Sequence, residues 1–181
     1  MNHPVPASAP AGLALDDDHQ AQQYLTFTLD NETFALGILA IREIIEYGNL
    51  TEVPMTPPFI RGVINLRGAV VPVIDLAARF GRTAKATTRR TCIVIIETGL
   101  SHGESSRHHQ IGLVVDAVSE VLEIPESDIE PPPEFGARIR TDFIHGMGKV
   151  NDQFVVMLNV ERILSLDEIS VAAVGFSGSV R

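Results

Sequence analysis

The sequence predicts a mostly β protein, arranged as two small, similar β-barrels packed side by side, with helix confined to short pieces. Three observations predict it. Short β-rich runs alternate with turn residues at a spacing typical of small barrels or sandwiches. The second half of the chain repeats the first in two ungapped stretches. Each half offers about five short strands, too few to cover an open sheet on both sides, and closing the sheet removes its exposed edges.

Taken in order, Tyr24–Asp30 alternates, with Leu25, Phe27 and Leu29 on one face and Thr26 and Thr28 on the other, the pattern of a strand half-turned to a core. Asp30-Asn31 then suits a tight turn into Thr33–Gly37, giving a hairpin. A short helical piece near Ile38–Ile41 leads into a bent strand. Val63–Leu66 and Ala69–Ile74 flank Arg67-Gly68 as a second hairpin, and Asp75 directly precedes the helical stretch Leu76–Phe80 as a helix cap. Thr91–Glu97 and Ile111–Val115 flank GLSHGESSRHHQ at 99–110, whose Gly and Ser content reads as an exposed loop. Val150 and Phe154–Leu158 flank Asn151-Asp152, and Val160–Leu164 closes the ordered part as a short helix.

The repeat is visible by sliding the chain on itself. Shifted by 84 positions, Gly62, Leu66, Val70, Val71, Val73, Ile74 and Asp75 meet Gly146, Val150, Phe154, Val155, Met157, Leu158 and Asn159. Shifted by 77, Leu36, Ile41, Glu43, Ile44 and Glu46 meet Leu113, Val118, Glu120, Val121 and Glu123. The ordered domain is expected over 23–170. Residues 1–22, rich in Ala and Pro and ending in Asp16–Asp18, and 171–181 are expected to be flexible tails.

Composition excludes several function classes. A net charge of −9 with pI near 5.0 opposes nucleic-acid binding, which relies on clustered Lys and Arg. The single cysteine, Cys92, rules out an intramolecular disulfide and is too few for a thiolate zinc site. No run approaches the ~18 apolar residues that a membrane-spanning helix requires. The N-terminus lacks the charged and apolar regions of a secretion signal. A cytoplasmic location follows as the expectation.

Catalytic chemistry finds no support. GxGxxG, GxxxxGK[ST] and GxSxG are all missing. His102, His108 and His109 share the polar 99–110 segment with nothing to orient them on a metal, and His145 reads as a surface residue. Cys92 sits in the apolar run TCIVII, where a thiol behaves as a small hydrophobe. Asp75 and Asp116 end β-runs and suit turn or cap roles. Neither a metal nor a cofactor is expected. Unexplained polar residues cluster in FIRGVINLRG. Arg61 reads equally as a solvated hairpin end or as a docking residue. Turns seldom call for arginine, and the planar fork of Arg67 suits a carboxylate across an interface.

The run PFIRGVINLRGAVVPVIDL, with IGLVVDAVSEVL and PPPEFGARIRTDFIHGMGKV, resembles the CheW family of chemotaxis adaptors over about Tyr24–Ile169. The resemblance implies two SH3-like five-stranded β-barrels and a non-catalytic protein that couples the cytoplasmic tip of chemoreceptors to the CheA histidine kinase. Matched position by position, it implies receptor contacts at Ile41, Glu43, Gly62, Asn65, Leu66, Arg67 and Val121, in a groove between the barrels. It implies contacts with the kinase regulatory domain at Cys92, Val94 and Val118, and at Phe135 a further contact that closes mixed rings of adaptor and kinase domains. A chain of 181 residues has no room for the ATP-binding and phosphotransfer parts of CheA or the receiver of CheV-type adaptors. Two departures from the family are the long 99–110 segment and the acidic N-terminal tail. Competing readings are an adaptor of another chemosensory pathway, governing pili, biofilm or development, and a small-ligand sensor or enzyme using the cleft between barrels.

Overall fold

A computed structural model describes residues 21–83, 85–102, 105–132 and 141–163. The hairpin of β1 (Ala21–Leu29) and β2 (Glu32–Gly37) turns at Asp30 and Asn31, whose φ values of 51° and 65° give the left-handed pair of a type I′ turn. A 3₁₀ turn at Ile38–Ala40 leads into β3 (Ile41–Glu46). The hairpin of β4 (Ile60–Leu66) and β5 (Ala69–Asp75) runs straight into helix α1 (Leu76–Arg79). The second half supplies β6 (Cys92–His102), β7 (Ser105–Val115), β8 (Ala117–Pro125), β9 (Ile129–Glu130), β10 (Ile144–Val150), β11 (Gln153–Leu158) and helix α2 (Val160–Ile163). The expected hairpins and short helices are therefore present. β1 starts at Ala21, inside the segment expected as tail, while the rest of both tails lies outside the described residues.

The strands form two sheets, in the orders β8-β1-β2-β11-β10-β9 and β3-β6-β7-β5-β4. The repeat is in register with them. Adding 84 to the bounds of β4 and α1 gives those of β10 and α2. The bulge after Ile60 recurs after Ile144. The parallel pairing of β5 with β7, Val73 opposite Gly112, recurs as Met157 opposite Ala35 between β11 and β2. The two halves do not fold separately, because β1 and β2 join the sheet of β8–β11 while β3, β4 and β5 join β6 and β7. Each lobe is thus assembled from both halves of the chain.

Three apolar clusters hold this arrangement. Ile64, Val71, Val73, Ile93, Ile95 and Val114 fill one lobe, and Tyr24, Ala35, Ile124, Val155 and Met157 fill the other. The largest cluster lies between the lobes and draws Leu25, Phe27, Phe34, Val94, Ile96, Leu113 and Leu158, among others, from both sheets. Rings of Phe27, Phe34, Phe80 and Phe143 succeed one another through it at 5.8–6.0 Å. Arg79 marks the pseudo-twofold relation: its guanidinium lies 4.9 Å from the Phe59 ring and 4.8 Å from that of Phe143, the counterpart of Phe59 at the 84-residue offset. Its Nε donates to the carbonyl of Ile163, its own counterpart, at 2.9 Å.

The 99–110 segment differs from the expected loop. β6 and β7 stay paired from Cys92 opposite Val115 out to His102 opposite Ser105, with 103 and 104 outside the described residues. Gly and Ser weaken a strand but do not prevent one when the partner strand supplies every backbone hydrogen bond.

Candidate functional site

Arg67 is the most informative surface residue. It occupies the β4–β5 turn with φ 53°, followed by Gly68 at φ 87°. The equivalent turn of the other lobe carries Asn151 and Asp152, and the β1–β2 turn carries Asp30 and Asn31, residues that tolerate left-handed backbone. Arginine pays a conformational cost there that asparagine does not. Its Nη2 lies 3.1 Å from Glu43 Oε2 while its side chain remains 80% exposed. Asn65 Oδ1 accepts from Gly68 N–H at 2.9 Å and fixes the turn beneath it. β3 and β4 are the two outer strands of their sheet, so the Arg67–Glu43 pair and the Arg61–Tyr47 contact, 6.0 Å from guanidinium to ring, show the sheet curled until its edges meet.

Four of the expected receptor residues, Glu43, Asn65, Leu66 and Arg67, are thus brought together on one end of this lobe. Leu66 is half-buried against the lobe interior. Ile41, on the same strand as Glu43, packs half-buried against the central cluster. Gly62 is buried below: a Cβ there would stand 2.4 Å from the Thr51 carbonyl oxygen, so the position is held by backbone packing. Val121 belongs to β8 at the edge of the other sheet and is 48% exposed.

The expected kinase residues divide differently. Cys92 and Val118 meet, since the Val118 backbone hydrogen-bonds the Cys92 sulfur, and both are half-buried over the central cluster. Burial, aided by the Glu46 charge, pushes the Cys92 thiol above its ordinary range, while the Val118 contact opposes the shift. A raised thiol is a weaker nucleophile, in keeping with the packing of Cys92 against the central cluster. Val94 corrects the expectation: it is fully buried between the lobes and offers no side-chain surface to a partner. Phe135 lies outside the described residues.

Arg61 is not a solvated hairpin end. Its Nε lies 2.9 Å from Asp75 Oδ2, while Oδ1 of the same buried carboxylate accepts from Ala78 N–H at 3.2 Å and caps α1. Asn159 caps α2 in the same way. Asp116 accepts from Asp30 N–H at 2.8 Å. These carboxylates line a shallow recess with Arg61, Lys85, Thr87 and Thr91, and each is committed to folding contacts. Among the described residues no group of three or more His, Cys, Asp or Glu is placed to hold a metal.

Inspection of the linear sequence missed Ile44, Val70 and Phe154, all substantially exposed. The repeat carried the signal, for Ile44 is the counterpart of Val121 and Val70 that of Phe154. Apolar side chains are thus exposed at equivalent positions of both lobes.

Comparison with known proteins agrees with this geometry. The family model described as a CheW-like domain matches residues 23–168. The chain is 34% identical to chemotaxis protein CheW of Klebsiella aerogenes over 89% of its own length and 95% of that protein. Identity is also 34% to chemotaxis protein CheW of Helicobacter pylori, over 88% and 91%. The crystal structure of the scaffolding protein TtCheW from Thermoanaerobacter tengcongensis superposes with a TM-score of 0.71 at 34% identity, covering 81% of this chain and 90% of that one. Protein FrzA of Myxococcus xanthus is 28% identical over 79% and 85%. Both lobes and their seam fall inside the matched region, and the chain belongs to the CheW family of chemotaxis adaptor proteins.

Proposed function

We propose that this protein is a non-catalytic, cytoplasmic coupling adaptor that holds the tip of a chemoreceptor and the regulatory domain of a CheA-type histidine kinase at the same time. The receptor docks at the end of the lobe carrying Glu43, Asn65, Leu66 and Arg67, with Ile41 and Val121 completing the groove between lobes. The kinase docks on the surface around Cys92 and Val118, with Phe135 as a further contact. The observation that carries the reading is Arg67: a strained, exposed turn arginine, already aligned by Glu43, has no folding purpose that its Asn counterpart does not serve better.

Receptor tips are helical hairpins, and an apolar groove with charges at its rim suits a helical partner. Among the described residues no helix is long and apolar enough to cross a membrane, in keeping with a protein that reaches receptors through their cytoplasmic tips. Purified protein is expected to lack ATPase activity. Arg67→Ala should weaken receptor-tip binding about five- to ten-fold, the size of a typical single contact at an interface, with thermal unfolding unchanged. Retained binding, or loss of the fold, contradicts the assignment. A second reading places the same adaptor in another chemosensory pathway, and the genes beside this one discriminate the two.

A further inference from the structure

The connection from α1 to β6 is the most basic part of an acidic chain. Residues 82–90 hold Arg82, Lys85, Arg89 and Arg90 and no acidic residue, in a protein of net charge −9. Two of these cations serve the fold: Arg82 pairs with Glu32 at 2.9 Å and Lys85 pairs with Asp30, which clips the connection onto the β1–β2 hairpin of the other lobe. Asp30 in turn raises the Lys85 ammonium above its ordinary range, chiefly through their hydrogen bond.

Arg89 and Arg90 are different. Both are exposed, and neither has an ion-pair partner among the described residues. They form the corner of a braced turn: Thr91 N–H donates to the Thr88 carbonyl at 3.2 Å, Thr88 N–H to Thr91 Oγ1 at 2.9 Å, and Arg90 N–H to Thr88 Oγ1 at 3.1 Å. Hydroxyl brackets of this kind hold a turn in one shape before any partner arrives. The corner is joined to the surface already described, because the Cys92 thiol donates to the Arg90 carbonyl at 3.2 Å and Val118 contacts the same sulfur.

We propose that Arg89 and Arg90 form a basic rim on the Cys92–Val118 docking surface and bind an acidic surface segment of the kinase regulatory domain. The proposal rests on that surface being the kinase contact. An acidic protein segment fits better than a polyanion. The rim is two residues wide and lies beside Glu46, which pairs across the strands with Cys92. A nucleic-acid backbone or an anionic bilayer would press against that carboxylate and the rest of an acidic chain, whereas a local acidic segment meets only the rim. Rim charges of this kind act mainly on association rate and its salt dependence.

The test compares the full-length protein with Arg89→Glu/Arg90→Glu and the milder Arg89→Ala/Arg90→Ala. Association with the kinase regulatory domain is followed at low and high salt, with receptor-tip binding and thermal unfolding as controls. The proposal expects the association rate of the Glu pair to fall about ten-fold at low salt. The Ala pair should fall less, the difference from wild type should shrink at high salt, and both controls should stay unchanged. Wild-type rates in both variants overturn the rim and leave the kinase surface standing. A wild-type protein that does not bind the kinase domain at either salt overturns the surface and the rim together. A variant defect seen only with vesicles of phosphatidylglycerol would assign the corner to membrane and overturn the proposal.

Discussion

Asp75 and Asn159 occupy equivalent positions and cap equivalent helices, yet only Asp75 carries a charge, because Arg61 stands beside it and no arginine has that place in the other lobe. Asp75→Asn should keep the cap and lose the ion pair at a cost of about 1 kcal/mol, whereas Asp75→Ala should cost about 2 kcal/mol by leaving the half-buried Arg61 guanidinium and a helix N–H without their partner. Urea denaturation of both variants checks the order. Cys92 gives a pH prediction. Its thiol is held above the ordinary range in the folded state, so the native protein binds that proton more tightly than the unfolded chain. The resulting stability is present below the ordinary thiol pKa and is lost as pH rises through the raised folded value. Alkylation of the native thiol should accordingly be slower than that of an unstructured cysteine at pH 8, with its rise displaced to higher pH. At this scale the cap role of Asp75 and the packing role of Cys92 were legible in sequence. The Arg61–Asp75 pair was not, since its partners meet only across the bulge that separates β4 from β5 pairing.

Among elements, the β4–β5 hairpin separates folding from docking. Arg67→Gly relieves a left-handed arginine and should leave stability unchanged or raise it by up to about 1 kcal/mol. It should also lower receptor-tip affinity as Arg67→Ala does. A variant that is destabilised and still binds the tip would reverse the roles. Gly62→Ala should instead unfold or badly destabilise the hairpin, because the added methyl meets the Thr51 carbonyl oxygen at 2.4 Å and backbone there cannot yield cheaply. Reduced receptor binding by that variant would therefore report lost structure, and its thermal unfolding reads this directly.

The turns at Asp30-Asn31 and Asn151-Asp152 were legible because their residues state the backbone they need, and at Arg67-Gly68 the glycine alone gave the signal. β6 was legible as a strand and misjudged in its surface. Ile93 and Ile95 fill a lobe while Val94 and Ile96 fill the space between lobes, so both faces are covered. The uninterrupted run Cys92–Ile96 carried that information, since strands buried on both sides lose their alternation. The pairing that extends β6 and β7 to His102 and Ser105 escaped notice for the opposite reason, that a run of Gly, Ser and His carries no apolar pattern to announce a strand.

At the scale of the whole molecule, the repeat announced two lobes but could not show that they exchange strands. The match between Phe34–Tyr47 and Ile111–Ile124, at an offset of 77 positions, is equally compatible with separate barrels, because register along the chain says nothing about which sheet a strand joins. The exchange has a physical consequence. Each lobe needs strands from both halves, and the largest apolar cluster lies between them, so the protein should unfold in one cooperative transition. Phe34→Ala, in the middle of the ring series, should cost about 3–5 kcal/mol and lower probes placed in either lobe together. Two separated transitions would contradict this.

A body that does not come apart between its faces can carry receptor geometry to a kinase, and the coupling reading depends on that. It is tested most directly by co-sedimentation of the protein with receptor-containing membranes and the kinase, omitting each component in turn. The kinase should pellet in quantity only when the protein is present, and Arg67→Ala should reduce this while leaving binding to the isolated kinase domain intact. Kinase recruitment that is indifferent to the protein, or a protein that pellets with neither component, would contradict it.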